Sequence, residues 1–405
     1  SFILGDLHPH VMSLPFLVLG LGLILNLYSS TDKLGLLWLR NNAVEAAALA
    51  IFIGSLAFIN LWDFPVIAAM LGSAALVKTY GDYDGNLTGA SISAATVVIP
   101  ILVLAIILFL PFYIDFEAQT SGILPLRDVN TRPVLLFLAM GPLILLAVSF
   151  LVRQLPRLVR PSEADNSTAN LVMLVVAAPF LLWVALAFIA TWIDDGAASA
   201  FGEIGGRMIL VIPGLLLVAV AGFSAMQRSR LNRGQATAFP LLMAGLAFFL
   251  LVGAETFYVV DQFGGPFRRM NTVFKFYYQA WLLLGIVGAY GLYYLWSARS
   301  SVNWPLNVSR FMSAGKYVWI GTAAVLLLAS FYYPVGAILD RTGVLREGHT
   351  ISDNTLDGLD FLKQPAPGEY AAIEWLRDDA PWGRIVEAVG DDYTEFARIS
   401  SSTGL

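Results

Sequence analysis

Ten long apolar runs dominate this chain and leave it few ways to fold. They cover residues 11–28, 43–62, 64–80, 92–113, 134–152, 171–192, 208–226, 238–254, 276–296 and 317–339. A helix that crosses a bilayer needs about 20 predominantly apolar residues. The pattern therefore predicts an all-α polytopic membrane protein of about ten transmembrane helices. Composition agrees. Hydrophobic residues make up 58% of the chain and charged residues 13%, about half the roughly 25% charge of soluble domains. Mean hydropathy is +0.72. The net charge of −5, with no long basic run, argues against a nucleic-acid partner. Without cysteine there is no disulfide framework, thiolate metal site or cysteine nucleophile.

Prolines fall inside many of the runs (Pro15, Pro100, Pro142, Pro179, Pro213, Pro334). Neighbouring helices re-satisfy the carbonyls they free, so they read first as packing kinks. The second and third runs should form a tight hairpin with Trp62-Asp63-Phe64-Pro65 at its tip. Alternating the runs across a bilayer sorts the loops into one set with twelve basic residues and another with six. The richer set belongs in the cytoplasm. Four segments then fall on the extracytoplasmic face of a plasma membrane: the one holding Asp6, His8 and His10, the Asp63 tip, residues 255–275 and the C-terminal tail. Beyond residue 339 the chain turns charged. Residues 370–379 suit a short amphipathic helix, Pro381-Trp382-Gly383 a turn, and 384–389 a strand. The expected organisation is a transmembrane helical domain, 1–339, followed by the start of a small extracytoplasmic α/β domain, 340–405, truncated at Leu405.

Three constellations could carry chemistry. In Gly5-Asp6-Leu7-His8-Pro9-His10, an extended backbone would point both imidazoles and the Asp6 carboxylate to one face. Such a set suits a divalent metal, or a base held by a carboxylate. The plainer alternative is a helix cap with histidines bonded at the interface. Asp63 is either ordinary turn chemistry at a helix start or part of a site shared with the other outer segments. Residues 255–275 are the richest stretch, with Glu255, Asp261, Arg268, Arg269, Asn271 and Lys275. Gly264-Gly265-Pro266 makes a turn, and Asn271 is a plausible N-cap for the ninth run. Two arginines beside a helix N-terminus favour an anion, and a lone ammonium at the depth of Lys275 is expensive. An internal ion-pair cluster and a binding site for a lipid-linked phosphate both satisfy that pattern. Glu45 reads as a helix-terminus charge and His349 as an exposed loop residue. The pairs Tyr277-Tyr278, Tyr293-Tyr294 and Tyr332-Tyr333 read as interface anchors.

The runs GDLHPHVMSLP (5–15), NLWDFP (60–65) and RMNTVFKFYYQAW (269–281), with the tail 370–405, resemble the uncharacterised YYY family of very hydrophobic membrane proteins from Chloroflexi and archaea. The layout of that family in turn resembles the GT-C glycosyltransferases, which move a sugar from a polyprenyl-phosphate carrier at the outer membrane face. The resemblance implies a GT-C-like fold in which Asp6 is the base and His8 and His10 orient it or hold a metal. Arg268, Arg269 and Lys275 would bind phosphate, and Asp63, Glu255, Asp261 and Asn271 would line the substrate site. The partners it implies are the lipid bilayer and a polyprenyl-phosphate-linked sugar. A transporter or flippase for an amphiphile and a non-catalytic envelope scaffold stand as alternatives.

Overall fold

The computed structural model describes residues 8–117, 120–127, 130–155, 166–231, 234–297, 306–344, 355, 357–390 and 394–405. It divides into two units, Ser1–Phe331 and Tyr332–Leu405.

The larger unit is a helical bundle. Its helices are α1 (Pro9–Ser29), α2 (Leu36–Asn41), α3 (Ala43–Ile59), α4 (Asp63–Asp82), α5 (Leu87–Leu108), α6 (Leu110–Asp115), α7 (Pro133–Val152), α8 (Asn166–Asp195), α9 (Ala197–Ser229), α10 (Gln235–Thr256), α11 (Met270–Ser297) and α12 (Leu306–Ser330). Each of the ten apolar runs falls on helix. Among the described residues, eight helical stretches are long and apolar enough to cross a membrane. Helix α3 is apolar but only 17 residues long, and α11 opens with a polar, aromatic stretch in place of an apolar one.

Helix α10 is the bundle's axis. Some 78% of its apolar window is buried, against 17% for α8. Its small residues Ala238, Ala244, Gly245 and Ala247 let neighbours come close. Such close approach replaces the hydrophobic drive that lipid cannot supply between helices. Helix α3 meets α5 in the same way, because Gly54 stands where a Cβ would lie 2.6 Å from the Ala105 carbonyl oxygen.

Polar groups gather at the two ends of the bundle. At one end Lys78 pairs with Asp82 (3.2 Å) and donates to the Ser30 carbonyl (2.7 Å). There too the Tyr80 hydroxyl meets Thr168 Oγ1 (2.6 Å), and Arg228 donates to Gln154 Oε1 and the Tyr294 hydroxyl. The other end holds Asp63, Glu255 and the start of α11. Here a two-stranded antiparallel ribbon pairs β1 (Gly122–Pro125) with β2 (Phe257–Val260), in the register Gly122↔Val260 to Pro125↔Phe257. It ties the α6–α7 connection to the α10–α11 connection.

The second unit contains α13 (Tyr332–Thr342), α14 (Pro367–Asp378) and α15 (Arg398–Thr403). The amphipathic helix expected at 370–379 is α14, with Ile373 fully buried. The strand expected at 384–389 is not formed. Residues 384–390 take no regular secondary structure, and Val386 and Val389 are exposed. A strand needs a partner for its backbone groups, and no described segment supplies one. In this unit the Glu387 carboxylate accepts from the backbone N–H groups of Ile399 and Ser400 and from the Ser400 hydroxyl. Those donors, Ile399 foremost, hold its carboxyl below the usual range.

Candidate functional site

The first three turns of α11 organise the Asp63 end of the bundle, and each face of the helix serves a different network. One face, with Arg269 just ahead of the helix, carries Tyr277. Arg269 Nη1 lies 3.3 Å from Glu255 Oε1 and donates to the Ala254 carbonyl (3.2 Å). Its Nη2 donates to Thr131 Oγ1 (2.6 Å). Thr131 gives both its N–H (3.0 Å) and its hydroxyl (2.5 Å) to the Glu255 carboxylate, and the Tyr277 hydroxyl donates to the same carboxylate (3.2 Å). Arg207 joins from α9, donating to the Glu255 carbonyl (3.1 Å) and to the Arg127 carbonyl. Two guanidinium groups thus cap the last carbonyls of α10, where the helix dipole is negative. With Glu255, Arg207 and Arg269 all buried, this is an internal ion-pair cluster.

The second face carries Asn271, Lys275 and Gln279 at successive i, i+4 positions, which stack on one side of a helix. Asn271 does not cap α11, which begins one residue earlier at Met270. Its amide instead donates to Asp261 Oδ2 (2.9 Å), while Asp261 Oδ1 accepts the Phe263 N–H (2.8 Å). Gln279 donates to Asp63 Oδ1. Asn60 also donates to Asp63 Oδ1 (2.8 Å) and turns its own Oδ1 toward the Lys275 ammonium (3.5 Å). Asp63 is 1% exposed. The Asn60 carboxamide therefore links a buried carboxylate to a half-buried ammonium, each relieving the other's desolvation.

The third face carries Phe274 and Tyr278, which receive His10. Its ring meets Phe274 edge-on at 4.5 Å and Tyr278 at 4.9 Å between centroids. The extended N-terminal segment expected from the sequence gives way to helix at Pro9, since proline is preorganised for the first helical position. His8 precedes that helix and His10 sits in its first turn, with ring centroids 5.0 Å apart. Asp6 lies outside the described residues, as does His349. Among the described residues no three His, Asp or Glu side chains gather as a metal site.

Between these networks lies a chamber of about 770 Å³. Asn60, Asp261, Asn271, Lys275 and Glu117 contribute its polar wall, and Phe58, Phe112, Phe249 and Phe276 much of the remainder. Arg269 and Glu255 are spent on each other and do not line it. Arg268 lies with its guanidinium over the Tyr258 ring (5.7 Å). Sequence reasoning missed Asn60, Thr131, Arg207 and Gln279 as members of these networks. All are amide, hydroxyl or guanidinium side chains with at least one partner far away in the chain. Of the tyrosines read as anchors, Tyr277, Tyr278 and Tyr294 instead join polar or aromatic networks.

A bundle of apolar helices with buried polar networks at its ends is a polytopic α-helical membrane protein. The chain belongs to the uncharacterised membrane protein family DUF2298, whose model matches residues 1–284 and so spans every network of the Asp63 end. No curated protein matches the chain, and no solved structure does.

Proposed function

We propose that this protein is a glycosyltransferase-like membrane protein that receives a polyprenyl-phosphate-linked sugar in the Asp63-end chamber, at the extracytoplasmic face. The observation that carries this reading is the Lys275 ammonium, set into the wall of a largely apolar chamber. Pockets for amphiphiles combine apolar walls with a few placed polar groups. Lys275 is the cationic residue in a lining that also carries the Asp261 and Glu117 carboxylates, so it is the group an anionic head would meet. In the transfer step the acceptor hydroxyl gives its proton to Asp6, oriented by His8 and His10. The acceptor oxygen bonds to the anomeric carbon as the bond from that carbon to the phosphate oxygen breaks. Lys275 and Arg268 stabilise the charge gathered on the leaving phosphate. Arg269 acts indirectly in this scheme, because it holds Glu255 and the start of α11.

The test is binding of a polyprenyl-phosphate sugar to the protein in lipid nanodiscs. The intact protein should bind, Lys275→Met should weaken binding at least tenfold, and Lys275→Arg, which keeps a cation beside Asn60 and Asp63, should retain it. Absence of binding by the intact protein would remove the reading. Binding followed by movement of the lipid between leaflets, with no sugar transferred, would put a flippase in its place.

A further inference from the structure

The chamber does not end at its apolar walls. Two smaller cavities, of about 220 Å³ and 290 Å³, adjoin it and share its lining. Phe249 lines all three, Phe276 and Gly253 line the chamber and the first, and Ala69 lines the chamber and the second. Together they trace a groove walled by α4, α8, α9 and α10, running from the Lys275 chamber to Leu242 and Met226. Along its length the lining is almost wholly apolar. On the floor Gly222 leaves the groove open, since a Cβ there would reach Val172 only at 3.7 Å. One turn past the last groove residues, Val77 and Leu171, the Tyr80–Thr168 hydrogen bond joins α4 to α8.

We infer that this groove holds the hydrocarbon chain of the same amphiphile whose phosphate lies at Lys275. The inference rests on the proposed function for its head group and adds a second site for the tail. Two observations choose this occupant. The groove opens into the polar chamber, so one molecule can lay its head on the ammonium and its tail along the apolar walls. Its length also fits. Gly253 and Leu242 are eleven positions apart on α10, about 16 Å at 1.5 Å per residue. That is about half of a hydrocarbon core some 30 Å thick, the depth of one leaflet below a head at the Asp63 end. Bilayer tails are as apolar as the groove, so tail burial adds little affinity. The groove instead fixes where the tail lies.

Photolabelling reads this placement directly. The probes are single-chain phosphate monoesters carrying a diazirine either beside the phosphate or about 16 Å down the chain, with a phosphatidylcholine of matching diazirine position as control. In nanodiscs, the head-proximal phosphate probe should label the Gly253–Phe276 region. The distal probe should label Leu242 and Met226 at least fivefold more than the control does. Val172→Trp, or Gly222→Phe from the floor, should cut distal labelling at least fivefold and leave proximal labelling in place. Equal labelling of Leu242 and Met226 by phosphate and control probes would mean bulk bilayer lipid only and would overturn the inference. Distal labelling unchanged in both filled variants would overturn it too. Lys275→Met separates the two claims. Ordered labelling lost in that variant supports head and tail together, whereas ordered labelling kept upholds the groove and removes Lys275 as the head-group ligand.

Discussion

At the scale of single residues, the division of labour between Arg269 and Lys275 decides most. Both are cationic and six positions apart, yet one is consumed by Glu255, Thr131 and the Ala254 carbonyl at the end of α10, and the other faces a chamber. Removing one partner of a buried ion pair leaves an uncompensated charge and costs about 3–5 kcal/mol. Arg269→Ala and Glu255→Ala should each lower stability by about that much. A thermal or denaturant unfolding series would read the loss, and an unchanged midpoint for either would show that the pair is not structural. That residues 255–275 concentrate charged and polar side chains was legible from the sequence alone. Their sorting into separate networks was not, because it depends on Thr131, Asn60 and Gln279. Gln279 meets a carboxylate 216 positions away, and an uncharged amide in an apolar run gives no local signal of that.

At the scale of elements, helix existence was readable because roughly 20 consecutive apolar residues admit little else. The strand reading of residues 384–389 failed for the converse reason: a strand is a property of a pair. The N-terminal segment turned on Pro9, which starts a helix where an alternating pattern suggested extension. Helix–helix spacing is set by glycines that the sequence shows without saying which matter. Gly54 matters, since a Cβ there would sit 2.5 Å from Phe109 and 2.6 Å from the Ala105 oxygen. Gly54→Ala should force α3 from α5 and cost about 1–3 kcal/mol by overpacking. Gly72, on α4, has nothing within 4 Å of its absent Cβ. Gly72→Ala should not destabilise, so equal losses in the two variants would remove the close-packing argument.

At the scale of the whole molecule, the bundle has two distinct polar ends, and the basic residues predict which faces the cytoplasm. The chain contains no cysteine, so single introduced thiols report without background. Cysteines at Gly264 and Ala198, near the Asp63 end, should react with an impermeant reagent in intact cells. Cysteines at Asp32 and Asp84, near the Lys78 end, should react only after lysis. The reverse pattern would invert the orientation and move the proposed site to the cytoplasmic face.

The ribbon between β1 and β2 also orders events during synthesis. Gly122–Pro125 emerges from the ribosome long before Phe257–Val260, its partner. Asp63, Asn60 and His10 emerge earlier still, and each is buried against α11. Each of these early members therefore lacks its late partner until the tenth helix has been placed and the eleventh begins. The insertion machinery must hold an unfinished bundle with a buried carboxylate exposed to lipid or water for most of translation. Chains stalled before residue 270 keep that surface without its α11 partners.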